Sequence, residues 1–155
     1  MLQLKRATIL DAEALTEFSR RAFHADVAYG APGPGGPPGY DDVAWQRRVI
    51  EAVDYYVITQ EETPIGGIIA YATAPGEYEL GRIFLAPEWQ NRGLGAQALA
   101  LLWPLYPQAT IWRLDTPAWN LRTRRFYARE GFDETGINDE SLALFERRMA
   151  GGSEA

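Results

Sequence analysis

Apolar positions along the chain change period several times, and each change marks an element. Leu2 and Leu4 alternate with Gln3 and Lys5, so Met1–Thr8 reads as a half-buried strand. From Asp11 the spacing lengthens: Ala14, Leu15, Phe18 and Ala22 recur at three and four, with Glu13 and Glu17 near the acid-favouring amino end of a helix. Val43, Trp45, Val49 and Ile50 predict a second helix over Asp41–Ala52. Tyr55–Thr59 and Ile65–Thr73 are rich in β-branched and aromatic residues and read as a hairpin closed through Glu61, Glu62, Thr63 and Pro64. A turn at Ala74-Pro75-Gly76 leads into a strand over Tyr78–Leu85, ended by Pro87. Leu94, Ala98, Leu101 and Leu102 then share one face of a helix from Gly93 to about Trp103. Ile111–Asp115 suits an interior strand. Asn120–Glu130 is helical, with Gly131 where a carboxyl cap belongs. Short strands follow from Phe132 and over Leu142–Arg147.

The order is β-α-α-β-β-β-α-β-α-β-β. Hairpin connections make the early strands antiparallel, whereas strand 78–85, helix 93–103 and strand 111–115 form a right-handed parallel crossover. The expected class is α/β in the mixed α+β sense: one domain over residues 1–148, a mostly antiparallel sheet flanked by helices, and a flexible tail at 149–155. Gly30–Gly39 (GAPGPGGPPG) holds five glycines and four prolines and is no regular element. It reads as a linker in preference to a wall over a site.

Composition narrows the chemistry. The 155 residues are 46% hydrophobic and 23% charged, which suits a packed core. Cysteine is absent, so disulfides, thiolate metal sites and cysteine nucleophiles are excluded; with His24 the only histidine, histidine-rich metal sites and Ser-His-Asp arrangements are disfavoured, and no metal is expected. No apolar run reaches the ~20 residues of a membrane span, and none near Met1 suits a secretory signal, so the expected location is cytoplasmic. The net charge of −6 disfavours nucleic acid as a partner. Residues 1–81 carry 6 Lys/Arg against 12 Asp/Glu, while residues 82–155 carry 9 of each, with Arg122, Arg124, Arg125 and Arg129 close together. That asymmetry fits a cationic substrate and an anionic cofactor, or an ordinary charged surface.

The stretch richest in chemistry is Ile83-Phe84-Leu85-Ala86-Pro87-Glu88-Trp89-Gln90-Asn91-Arg92-Gly93-Leu94-Gly95-Ala96. A strand runs through a loop into a helix that opens with two glycines, where bare backbone N–H groups and the helix dipole favour phosphate. Gly93-Leu94-Gly95-Ala96-Gln97-Ala98 also satisfies G-x-G-x-x-A, with Asp115 about twenty residues on, as in a dinucleotide fold. Placement argues against that reading, which stays the lesser alternative. Residues 86–92 separate strand from glycine where the dinucleotide turn is immediate, and hairpin strands precede the motif.

Gln90-Asn91-Arg92-Gly93-Leu94-Gly95, after a strand ending in hydrophobic-x-hydrophobic-x-Pro, resembles the Q/R-x-x-G-x-G/A motif of the GNAT family of N-acetyltransferases. Asn120 and Phe126-Tyr127…Gly131-Phe132 match the family's downstream motif, and the resemblance spans roughly residues 1–148. It implies acetyl-coenzyme A as cosubstrate, held at the pyrophosphate by Gln90, Asn91, Arg92, Gly93, Gly95 and Ala96. Ile83 and Leu85 would pair with the pantetheine arm as an added strand would, and an N–H near Leu85 would steady the oxyanion. Asn120 would bind the cofactor, cap a helix, or both. Tyr127 would protonate the leaving thiolate, the alternative being a core aromatic. Glu79 shares the parity of Ile83 and Leu85 on a regular strand and matches a base glutamate of some members. It is a base or a solvated charge, and Glu77 has the same parity. His24 and Tyr40, flanking the Gly/Pro loop, are candidates for the acceptor side. The implied reaction is acetyl transfer to a primary amine of a small molecule or peptide by direct attack through a tetrahedral intermediate. A non-catalytic coenzyme A-binding or sensor module is the alternative. Homodimers are frequent in that family, so a second copy is one expected partner.

Overall fold

The computed structural model describes residues 1–149, so the expected tail falls outside the described residues from position 150 onward. The elements are β1 (Leu2–Arg6), α1 (Ala12–His24), α2 (Val43–Ala52), β2 (Asp54–Gln60), β3 (Thr63–Ala74), β4 (Glu77–Leu85), α3 (Leu94–Leu102), β5 (Ile111–Pro117), α4 (Leu121–Arg129), β6 (Asp133–Ile137) and β7 (Leu142–Arg148). Their order is the one the periodicity predicts, with ends moved by a residue or two. Asp42 shows why α2 starts where it does: its carboxylate accepts from the N–H groups of Ala44 (2.9 Å) and Trp45 (3.3 Å), satisfying donors that have no partner within the first turn.

The strands form one sheet in the order β1-β2-β3-β4-β5-β7-β6. Only β4 and β5 run parallel, as the crossover through α3 requires. The chain places β7 between β5 and β6, an insertion that hairpin reasoning does not foresee. On one face α1 and α2 bury Leu15, Ala22 and Ile50 against Tyr55, Ile69 and Phe84. On the other, Leu94, Leu99 and Leu102 of α3 and Tyr127 of α4 pack with Ile68, Leu80 and Trp112. Each such aliphatic side chain contributes roughly 1.5–3 kcal/mol when fully buried. Together they hold the sheet between two helical layers.

Two irregularities of β4 create the site. Its ladder with β5 is only three pairs long, from Glu77–Ile111 to Glu79–Arg113. Beyond them the strands part, leaving the β5-facing edge of β4 unpaired towards Leu85. Facing β3, the register slips between Ile69–Arg82 and Ala70–Leu80, with Gly81 as the extra residue. The bulge reverses the alternation. Tyr78 and Leu80 point to the α3/α4 face before it, and Ile83 and Leu85 do so after it, while Phe84 turns to α1 and α2. Glu79 therefore lies on the opposite face from Ile83 and Leu85. This corrects the shared-face expectation, which assumed an unbroken strand.

Candidate active site

The loop between β4 and α3 is shaped by left-handed backbone at Asn91 (φ +61°) and Gly93 (φ +75°). Nothing lies within 4 Å of where a Gly93 side chain would begin, so glycine is needed there for backbone conformation. The first bond of α3 runs from the Gln97 N–H to the Gly93 carbonyl at 3.3 Å. The N–H groups of Leu94, Gly95 and Ala96 consequently have no acceptor in their own helix. Such a terminus, preceded by left-handed residues, is a ready seat for phosphate oxygens.

These groups open onto a cavity of about 320 Å³ lined by Ile83, Leu85, Gln90, Asn91, Gly93, Gly95 and Ala96, with Arg122, Phe126 and Arg129 opposite. Gln90 fixes the loop by donating to the Leu85 carbonyl at 2.8 Å while accepting from Arg122 at 2.9 Å. Arg122 also pairs with Asp26 at 3.1 Å and lies 3.8 Å from the centre of the Tyr29 ring. Burial raises the Asp26 carboxyl from its ordinary value, and the guanidinium opposes that rise. One arginine thus ties α4 to the motif loop and to the end of α1.

A second cavity of about 680 Å³ passes through the gap where β4 and β5 diverge. The Gly/Pro segment forms one of its walls, through residues 31–38. The linker expectation for this segment is thereby corrected. It is held there by the Arg82 guanidinium, which donates to the Pro38 carbonyl and lies 4.3 Å from the Trp45 ring centre. Tyr127, Ile83, Thr123, Phe23 and Asp26 line both cavities, so the two volumes meet at Tyr127. Tyr127 is buried, and burial, with the charge of Asp115 second, pushes its phenol well above the ordinary tyrosine range.

Ile83, Leu85, Gln90, Asn91, Gly93, Gly95 and Ala96 are brought together in the first cavity. Arg92 is outside its lining, its guanidinium 5.0 Å from the Trp89 ring centre. Asn120 lines the second cavity and caps α4, its side-chain oxygen accepting from the Thr123 N–H at 3.1 Å. Glu79 lines neither. Burial raises its carboxyl, with Asp115 adding to the rise and Arg113 opposing it. His24 and Tyr40 bond to each other at 2.9 Å, outside both linings. The residues that motif reading missed are Asp26, Arg82, Asp115 and Trp119. Arg122 and Arg129 gave a signal only as members of the arginine cluster.

The sequence model of the Acetyltransferase (GNAT) family matches residues 13–132. Among solved structures, the PaiA N-acetyltransferase of Thermoplasma acidophilum in complex with coenzyme A superposes with a TM-score of 0.81 at 19% identity, covering 96% of this chain and 99% of that one. The structure of AAC(6')-Ib with ribostamycin and coenzyme A gives 0.75 at 22% identity over 99% and 97% of the two chains. A curated relative, the uncharacterized protein YrkN of Bacillus subtilis (strain 168), is 24% identical over 96 residues. That match covers 61% of this chain and about half of the relative's length (52%).

Proposed function

Because this chain belongs to the GNAT acetyltransferase family, we propose that it transfers an acetyl group from acetyl-coenzyme A to a primary amine by direct attack. The observation that carries this reading is the meeting of two cavities at Tyr127, one bordered by free backbone N–H groups and an open strand edge, the other closed by a loop. The first cavity suits the donor substrate. Its N–H groups at Leu94, Gly95 and Ala96 would face the pyrophosphate, with Gln90, Asn91 and Gly93 shaping the loop. Ile83 and Leu85, on the unpaired edge of β4, would take the pantetheine amides as a neighbouring strand does. Arg122 fits the same anion, since its Nε is buried without a partner among the described residues.

When bound, acetyl-coenzyme A supplies the thioester whose carbonyl is attacked. The protein's part is to align an amine, accept its proton, and give a proton to the departing sulfur. Tyr127 serves the last step: a phenol held above its ordinary pKa stays protonated at neutral pH and stands where the two cavities join. The proton of the amine goes to a carboxylate on the acceptor side. Among the described residues no helix is long and apolar enough to cross a membrane.

Calorimetry with acetyl-coenzyme A, followed by free-thiol release across a panel of amines, tests the reading. Saturable binding and amine-dependent release are expected. Binding without release for any amine would favour the coenzyme A-binding module, and no binding at all would remove the assignment.

A further inference from the structure

Asp115, in β5, borders the larger cavity together with Thr116, Pro117 and Trp119. Of the other charged groups of that lining, Asp26 is paired with Arg122, while Arg82 donates to the Pro38 carbonyl and lies over the Trp45 ring, with its Nη1 buried and unpartnered among the described residues. Asp115 takes part in none of the ion pairs among the described residues. Around it the walls are apolar: Phe23, Leu80, Ile83, Leu142, Trp119 and the prolines of the Gly/Pro loop. A volume of about 680 Å³ suits a small molecule. One uncommitted carboxylate, still partly open to solvent and set against walls that are apolar over much of their area, matches a single ammonium on an apolar body. A polycation would bring further charges with no partner there and would lose their hydration.

We propose, resting on the acetyltransferase reading above, that the acceptor is a primary monoamine with an apolar or aromatic body and that Asp115 receives its ammonium and takes its proton. The proton balance is complete. The ammonium gives one proton to Asp115, which passes it to solvent. The freed lone pair forms the C–N bond at the thioester carbonyl, and the C–S bond breaks as the carbonyl re-forms. Tyr127 protonates the leaving sulfur and recovers its proton from the nitrogen, which becomes the amide.

The neighbours of Asp115 set its titration. Glu140 in the β6–β7 turn raises its carboxyl after burial has done so, and Arg82 of β4 opposes the rise. Glu79 of β4, Tyr71 of β3 and Tyr127 of α4 all feel its charge, and Arg113 lies two residues away on its own strand. kcat/KM therefore rises with pH as Asp115 ionises.

The test is thiol release with 2-phenylethylamine, spermidine and kanamycin, alongside calorimetry with acetyl-coenzyme A. The expected result is a kcat/KM for 2-phenylethylamine at least about tenfold above either polycation, a factor that desolvating further unpaired charges readily supplies. Asp115→Asn is expected to lower that value about 10²-fold, the scale of a lost general base, and to abolish the acidic limb. Its acetyl-coenzyme A affinity should stay within about twofold. Asp115→Glu should recover part of the loss, and Glu79→Gln should cost far less than Asp115→Asn. Preference for spermidine or kanamycin, an Asp115→Asn variant as active as the parent, or a larger loss in Glu79→Gln would each overturn the proposal while leaving acetyl transfer standing. If acetyl-coenzyme A binds and no amine releases thiol, the functional reading falls and this proposal with it. Should Asp115→Asn fail to bind acetyl-coenzyme A, Asp115→Glu alone decides: the parent's acidic limb displaced or weakened supports the role, and an unchanged profile refutes it.

Discussion

The two cavities that meet at Tyr127 are built by opposite means. The proposed donor cavity rests on the backbone of one continuous stretch, Ile83–Ala96, with an open strand edge, two left-handed residues and a helix start, faced by side chains of α1 and α4. The proposed acceptor cavity is lined by residues drawn from α1, the Gly/Pro loop, β4, β5, α4 and β7. A backbone site can serve many acceptors unchanged, whereas a side-chain site can be altered one residue at a time. If that division holds, substitutions on the donor side should move acetyl-coenzyme A affinity, and those on the acceptor side should move amine selectivity.

The largest effect is expected where the cavities join. Tyr127→Phe removes the proposed proton donor but keeps the ring against Phe126, Phe132 and Phe145. kcat should fall about 10²-fold or more under conditions where chemistry limits the rate, with acetyl-coenzyme A affinity nearly unchanged by calorimetry. The pH profile gives an independent check. Because burial raises the phenol's pKa, the acid form persists to higher pH than for a free tyrosine. The parent should show no basic limb attributable to this group up to about pH 10, the unperturbed tyrosine value. A limb well below that would place the donor elsewhere.

Next in size is Arg122→Met, which keeps the stem and deletes the head that joins Gln90 to Asp26. Acetyl-coenzyme A affinity should weaken about tenfold, or about 1.4 kcal/mol. Asp26 would then be a buried carboxylate with its opposing charge gone. Its pKa, already raised, should rise further. A folded-state pKa above the unfolded one means the native state binds protons more readily, so stability falls as pH rises through that interval. The variant should therefore melt higher at mildly acid pH than at neutral pH, more so than the parent. Equal pH dependence in the two proteins would mean the pair carries no weight at Asp26.

The contrast between the cavities also explains what the sequence made legible. The order of elements follows from periodicity because each helix and strand buries one face. The left-handed loop and bare helix start follow from Gly93, Gly95 and the preceding strand, because that geometry depends on backbone. Two features were hidden. The bulge at Gly81 is one skipped residue in the pairing with β3; its one local mark, a lone glycine inside the strand pattern, does not by itself set the register, so Glu79 was assigned to the wrong face. Asp115 drew notice only through its spacing from Gly93 along the chain, in a dinucleotide reading that the motif's placement argued against. The register of β5 against β4 and β7, a long-range property, puts it at the mouth of the gap instead. The Gly/Pro loop was taken for a linker for the same reason: Arg82, which holds it, is 44 residues from Pro38.

A smaller effect tests the backbone character of the donor side. Gly93→Ala meets no atom within 4 Å, so its whole penalty is the left-handed backbone, about 1–2 kcal/mol for a residue bearing a Cβ. Melting temperature and acetyl-coenzyme A affinity should fall together. Gly93→Asn should recover part of both, because asparagine tolerates that conformation better. A loss equal for alanine and asparagine would mean that contact, not conformation, is at stake.

The smallest effect separates capping from ligand binding at Asn120. Its side-chain oxygen is committed to the Thr123 N–H, and its side chain borders the acceptor cavity. Asn120→Ala should cost about 1 kcal/mol, the usual value of a lost N-cap, while Asn120→Asp keeps an acceptor in place and should cost less. Acetyl-coenzyme A affinity should shift by less than about twofold in both variants, since the donor cavity does not include this residue. The KM for the amine is the parameter that should respond, because fraying the first turn of α4 loosens Thr123, which borders both cavities and whose hydroxyl bonds that of Thr116 at 2.8 Å. Were donor affinity to fall in Asn120→Asp with the cap and the melting temperature preserved, Asn120 would contact the cosubstrate directly, and the donor site would extend across the gap into the chamber.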